Sequence, residues 1–178
     1  LTAKITASSL TNNGKIEAQE GLTIDSAGYI ANNGNLYSYG DMALKGASLT
    51  SNGKVGAKGQ LTTSIAGNVI NRATIEAGDI LLKLDGELDN IGHDILSSGG
   101  VQIKSRSDGK IKKVSNQYGT ISAEGGDLVL YAESLYQPAD ISSDFKSESD
   151  LKKLVPANPQ TPVVYDGRDY VFGHIGPE

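Results

Sequence analysis

The chain has 178 residues, with 16 Lys+Arg against 21 Asp+Glu for a net charge of −5, and it contains no Cys, no Trp and two His. Without Cys there is no disulfide, no thiolate nucleophile and no Cys-ligated zinc or iron–sulfur centre, and two His leave little for a His-based metal site. The mild acidity argues against nucleic acid as a partner, since phosphate binding needs a basic face, and no run approaches the ~18 apolar residues of a membrane-spanning helix.

The chain opens at Leu1 with no charged-then-apolar leader, as expected of a mature chain or an excised segment. From there short alternating aliphatic runs recur: Ala3-Lys4-Ile5, Leu22-Thr23-Ile24, Met42-Ala43-Leu44, Leu61-Thr62-Thr63, Ile80-Leu81-Leu82, Val101-Gln102-Ile103 and Leu128-Val129-Leu130. Their starts follow at a near-constant step that lengthens only at the last, from Val101 to Leu128. A second aliphatic follows most of them (Leu10, Ile30, Leu49, Val69, Leu88, Leu135), and then a third (Ile16, Leu36, Val55, Ile75, Ile95, Ile141, with Ile121 in the sixth unit). Alternation of period two marks half-buried strands. Asn-Gly turns such as Asn13-Gly14, Asn33-Gly34 and Asn52-Gly53 bend each unit at one place.

One such unit cannot bury its apolar side, whereas stacked units can. The pattern predicts an all-β fold, a parallel right-handed β-helix of about seven coils, roughly 19–21 residues each. At the strand spacing it makes a rod ~30 Å long. Ile24, Leu44, Leu82, Ile103 and Leu130 are expected in one inward file, and Asn13, Asn33 and Asn52 in a side-chain amide ladder. All five Pro lie beyond residue 137. Proline cannot donate to a sheet ladder, so the β-helix is assigned to 1–141 and a C-terminal cap or extension to 142–178.

The units Leu22–Asp41, Met42–Gln60, Leu61–Asp79 and Ile80–Gly100, with the joint Ala77-Gly78-Asp79-Ile80-Leu81-Leu82, resemble the haemagglutinin repeats of two-partner-secreted exoproteins. That group includes filamentous haemagglutinin and the CdiA-type effectors of contact-dependent growth inhibition. The resemblance spans about residues 3–141 and lacks the group's N-terminal secretion signature, which points to an internal segment. It implies a secreted or bacterial cell-surface location and an outer-membrane secretion partner for the parent protein. It also implies a target-cell receptor: an outer-membrane protein, lipopolysaccharide or a glycan. The absence of Cys suits a chain that crosses an oxidising periplasm unfolded.

Three features bear on chemistry. Asp79, Asp85, Asp89 and Asp94, with His93, form the best acidic cluster, yet most of them fall in turns where Asp serves local hydrogen bonding. No catalytic residue, metal site or cofactor is assigned. The sixth unit carries about seven extra residues, and 104–113 hold Lys104, Arg106, Lys110, Lys112 and Lys113 against Asp108. That excursion reads either as a site for acidic glycan or lipopolysaccharide phosphate, or as a solvated loop protecting a sheet edge. Tyr29, Tyr37 and Tyr39 read either as an outward aromatic strip that stacks on sugars or as packing against Tyr118 or Tyr136.

In the tail, Ser147-x-x-Asp150 before Leu151–Val155 suggests a short capping helix closed by Pro156. A Pro-containing linker follows. Val163–Phe172, with Asp166-Gly167, suggests a hairpin whose Tyr165, Arg168, Tyr170 and Phe172 are candidate partner contacts. The functional expectation is a non-enzymatic rod and receptor-binding segment for adhesion, with no nucleic acid partner. A polysaccharide-active β-helix lyase or hydrolase and a plain structural spacer are the alternatives.

Overall fold

The computed structural model describes residues 1–136 and two later strands, at 163–165 and 173–175. The first turn contains β1 (Thr2–Ala7), β2 (Leu10–Asn12) and β3 (Lys15–Ala18). The second contains β4 (Gly21–Ser26), β5 (Tyr29–Asn32) and β6 (Asn35–Ser38). Next come β7 (Asp41–Gly46), β8 (Ser48–Ser51) and β9 (Val55–Ile65), the last running on into the following turn. Then come β10 (Val69–Asn71), β11 (Thr74–Leu84), β12 (Glu87–Asp89) and β13 (Asp94–Ser97). After them are β14 (Val101–Lys104), β15 (Lys113–Ser115), β16 (Gly119–Ala123), β17 (Leu128–Leu130) and β18 (Leu135–Tyr136). The later strands are β19 (Val163–Tyr165) and β20 (Gly173–Ile175).

From β1 to β18 each strand pairs in parallel with its counterpart one turn away. Register partners Ala3, Leu22, Met42, Leu61, Ile80 and Val101 follow one another at the near-constant step of the sequence pattern, and the one long step leads from Val101 to Leu128. The described residues therefore form an all-β parallel solenoid of about five regular turns, followed by an enlarged one, and contain no helix. Because β9 and β11 are continuous across a corner, the first and third strands of each turn merge into one 13-stranded sheet. The second strands form a separate seven-stranded sheet.

The inward files are those the alternation predicts. Ile24, Leu44, Thr63, Leu82, Ile103 and Leu130 are successive register partners, and all are buried. Thr63 breaks the aliphatic file without an orphaned hydroxyl, since its Oγ1 donates to the Lys83 carbonyl at 3.1 Å and accepts the Lys83 N–H at 3.0 Å. The third-strand file runs Ile16, Leu36, Val55, Ile75, Ile95, Ile121. In the second-strand file the sixth member is Val114, between Leu88 and Leu135, a residue the periodicity did not single out because the excursion displaces it. Each fully buried Leu or Ile contributes ~1.5–3 kcal/mol.

Two amide ladders close one corner. The outer one is as predicted: Asn33 Nδ2 donates to Asn13 Oδ1 and Asn52 Nδ2 to Asn33 Oδ1, each at 2.8 Å and exposed. The inner one is buried. Asn12 donates to Asn32 at 2.9 Å, Asn32 to Ser51 Oγ at 3.1 Å, Asn71 to Asn90 at 2.7 Å and Asn90 to Asn116 at 2.7 Å. Their remaining N–H groups cap backbone carbonyls of Asn35, Lys54, Asp94, Thr120 and Gly119. Buried amides are stable only when satisfied in this way.

A second device stitches turn to turn. Asp41 Oδ1 accepts the Gln60 N–H at 2.8 Å, Asn68 Oδ1 the Glu87 N–H at 2.8 Å, and Asp79 Oδ1 the Gly100 N–H at 2.9 Å. Each accepting oxygen lies where a Cβ on Gly59, Gly86 or Gly99 would stand. The glycine before the stitched N–H is thus required by close approach.

The expected cap helix at 147–155 and Ile141 lie outside the described residues. Ile121 has Ile175 as its register partner. Of the predicted hairpin at 163–172, the turn and second arm lie outside the described residues; its first arm is β19, which lies antiparallel to β17, and β20 lies parallel to β16.

Candidate functional site

The enlarged turn is built by the segment between β14 and β15, at a corner that two residues, Ala27 and Gly28, span between β4 and β5. Residues 105–109 close on themselves: Ser105 N–H donates to the Gly109 carbonyl at 2.9 Å, and Gly109 N–H to Ser105 Oγ at 2.8 Å. Asp108 sits there at φ 65°, a left-handed conformation that Asp tolerates better than most residues.

Ion pairs fasten this loop to the wall. Arg106 donates to Asp85 through its backbone N–H at 3.0 Å, Nε at 2.8 Å and Nη2 at 2.8 Å. Asp108 Oδ1 is shared by Lys83 at 2.9 Å and Lys104 at 3.1 Å. The side-chain and backbone hydrogen bonds from Arg106 hold the Asp85 carboxyl below the usual range. Hydrogen bonds from Lys83 and then Lys104 do the same for Asp108. Further on, Ile111 is buried and bridges Ala132, while its N–H donates to the Tyr131 carbonyl at 2.8 Å and Lys112 N–H to that of Gly86 at 3.0 Å.

The five predicted cations are therefore not equivalent. Lys104 and Arg106 are committed to carboxylates of this chain. Lys112 is exposed and Lys113 half-buried. Lys110 places its Nζ out of solvent without a hydrogen-bond partner. Of the tail candidates, Tyr165 belongs to β19, its backbone opposite Leu128, and Arg168, Tyr170 and Phe172 lie outside the described residues.

The acidic cluster is dispersed into separate structural tasks. Asp79 stitches to Gly100, Asp85 holds Arg106, and Asp89 pairs with Arg72 Nη2 at 2.9 Å and accepts the Ile91 N–H at 3.1 Å. The hydrogen bond from Arg72 keeps the Asp89 carboxyl below its ordinary value. Among the described residues no three His, Asp or Glu side chains are grouped to hold a metal ion.

The tyrosines separate as well. Tyr29 stands on β5, in the other sheet, with hydrogen bonds to Ser9 and then Thr11 lowering its phenol. Tyr37 and Tyr39 stay together on the outward face beside β6, edge to face at 4.9 Å, with Lys58 Nζ 5.3 Å from the Tyr39 ring centroid. Sequence reasoning missed the inner amide ladder and the Asp85–Arg106 pair. The pair was available from spacing: Asp85 to Arg106 is the same step along the chain as Ile80 to Val101, which are register partners.

The profile of the haemagglutinin repeat matches residues 1–73 and 49–130. The chain belongs to the haemagglutinin repeat family. Comparison with curated proteins and with solved structures found no match. Haemagglutinin repeat proteins are generally secreted or cell-surface exoproteins, and a parallel solenoid of such repeats fits a structural rod segment of one. The repeat's Gly-Asp joint also acquires a mechanism. At Asp79 the carboxylate reaches over the next turn's Gly99 to bind the N–H beyond it.

Proposed function

We propose that this haemagglutinin repeat segment is a non-enzymatic rod of about seven coils over 1–141, closed by the extension at 142–178. It belongs to an exoprotein exported through an outer-membrane partner and presented at a bacterial surface. Its task is to hold a receptor contact at a fixed place along a stiff shaft, for adhesion or for contact-dependent growth inhibition. The observation that supports this is the excursion. Stacked turns of near-constant length are interrupted once, and the inserted loop is fastened to the wall by Asp85 and Asp108. Fastening a loop lowers the ordering cost of binding through it, and loops on rigid scaffolds are where contacts are placed.

The contacts offered to a partner are Lys112 and Lys113, together with Tyr165, Arg168, Tyr170 and Phe172 of the extension, while the Nζ of Lys110 is out of solvent. Lys104 and Arg106 act as fasteners. Their commitment to the wall is also what a plain spacer would show, so the two readings divide at a measurement. The labelled full chain is incubated with Gram-negative bacteria and with animal cells. Receptor binding predicts saturable attachment to one of them, lost in Lys112→Glu at unchanged melting temperature, since Lys112 is exposed. Equal attachment of the charge-reversed variant sinks the excursion as the contact, and no attachment to either cell type leaves the spacer.

A further inference from the structure

A cleft of about 400 Å³ lies on the outward face of the sheet formed by β6, β9, β11, β13 and β16. Its walls are Tyr37, Lys58, Glu76, Ser98 and Glu124, and small residues such as Ala57, Ala77 and Gly78 make its floor. The column on this face runs Tyr37, Gly56, Glu76, Leu96 in strict register and continues to Ser122, which is buried. Gly56 is required there, since a Cβ on it would stand 2.9 Å from Tyr37 Cδ2. The ring therefore lies over the backbone of the next turn. On the far side of the Tyr37 ring a second hollow of about 260 Å³ is lined by Tyr39, Asn35 and Lys15. Tyr39 itself remains 42% exposed.

We propose that this cleft binds a neutral oligosaccharide, with the Tyr37 ring, backed edge to face by Tyr39, as its apolar wall and Glu76 and Glu124 accepting hydrogen bonds from sugar hydroxyls. Aromatic walls receive the C–H faces of sugars, and ionised carboxylates are the strongest acceptors for neighbouring hydroxyl donors. The charge balance selects against polyanions. Lys58 shares the cleft with Glu76 and Glu124, and Lys54, from the neighbouring hollow, is already paired to Glu76 at 2.7 Å. The shape selects an extended ligand. From Tyr37 to Glu124 the cleft crosses four turn-to-turn steps at ~4.8 Å each, or ~20 Å. A floor of Ala and Gly gives no deep socket for the Trp, Tyr or Arg anchor that a protein partner would need.

The cleft is separate from the excursion, so it stands or falls independently of the receptor reading. The test titrates the full chain by calorimetry with cellotetraose, maltotetraose and tetra-N-acetylchitotetraose, and in parallel with a heparin tetrasaccharide. Saturable binding of at least one neutral sugar is expected. It should weaken about tenfold, roughly 1.4 kcal/mol, in Tyr37→Ala and in Glu124→Ala, and stay unchanged in Tyr29→Ala. Glu124 is exposed, so that variant keeps the fold even where Tyr37→Ala loosens it. The proposal is overturned by any of three results: no neutral sugar binding at millimolar concentration, equal binding by all variants, or binding of heparin alone. Sugar binding retained in Lys112→Glu with cell attachment lost supports the cleft while separating it from the excursion.

Discussion

The regular turns and the enlarged turn are held by different forces. From residue 1 to about 100 the solenoid relies on short-range geometry: aliphatic files, amide ladders, and carboxyl oxygens nested against glycine. Between β14 and β15 the buried Ile111 is joined by charge, with Asp85 on Arg106 and Asp108 on two lysines. The aliphatic files and the inner ladder are buried and expensive to disturb. Ion pairs at an exposed corner are each worth only ~0–1 kcal/mol. Stability therefore resides in the shaft, and the loop can change its surface at little cost to it.

The sharpest way to break the comparison is Leu82→Asp. Leu82 is fully buried in the central file, and an unpaired carboxylate there costs more than a domain's whole margin. The variant is expected to lose its sheet circular dichroism, and a soluble variant with an unchanged spectrum would refute the stacked core. Next in size is Asn90→Ala. It removes a donor used by the Asn116 side chain and the His93 and Thr120 carbonyls, and the acceptor of Asn71. About 2–4 kcal/mol should be lost in urea denaturation, from several orphaned polar groups.

A middle effect is expected at the stitch. Gly99→Ala drives a Cβ into the Asp79 carboxylate, costing ~1–3 kcal/mol as local overpacking. Asp79→Ala in the same chain should recover part of that loss. A strictly additive double-mutant cycle would show that the two residues do not meet. The smallest effect belongs to the excursion. Arg106→Ala is expected to shift stability by under ~1 kcal/mol, and a larger loss would show that the loop carries the shaft.

Acid sharpens the same contrast. Asp85, Asp89 and Asp108 are all held below the ordinary carboxylate range. A depressed folded-state value gives stability that is present above the unfolded value and is lost as pH falls through the folded one. The melting temperature should be level from about pH 5 to 8 and fall below about pH 4. In Asp85→Asn the part of that fall due to Asp85 should disappear, and an unaltered acid limb would dismiss the Asp85–Arg106 pair as a contributor.

The shaft was legible because its rule is local and repeated. Leu22, Met42 and Leu61 announce both period and facing, and a step that hardly varies leaves one stacking register. The outer amide ladder followed from the same count. The inner one was hidden because Asn12 and Asn32 each sit beside a turn Asn, Asn71 stands alone before Arg72, and nothing in composition tells a buried Asn from an exposed one. The excursion was legible as an insertion, not as a fastened loop, until its cations were measured against carboxylates a full turn away. Sheet pairing of residues 163–165 and 173–175 was illegible for a different reason. Which free edge a short strand chooses depends on edges made by residues far earlier in the chain.

The two amide ladders run side by side with opposite sense. In the inner column each Nδ2 donates toward the following turn, from Asn12 to Asn32 and from Asn32 to Ser51. In the outer column it donates toward the preceding one, from Asn33 to Asn13 and from Asn52 to Asn33. Aligned amides add their dipoles, as peptide units do along a helix. Two antiparallel columns at one corner cancel. Over these turns the corner gains no axial dipole as units are added, so no terminal partial charge builds up from the ladders however many such turns a shaft contains.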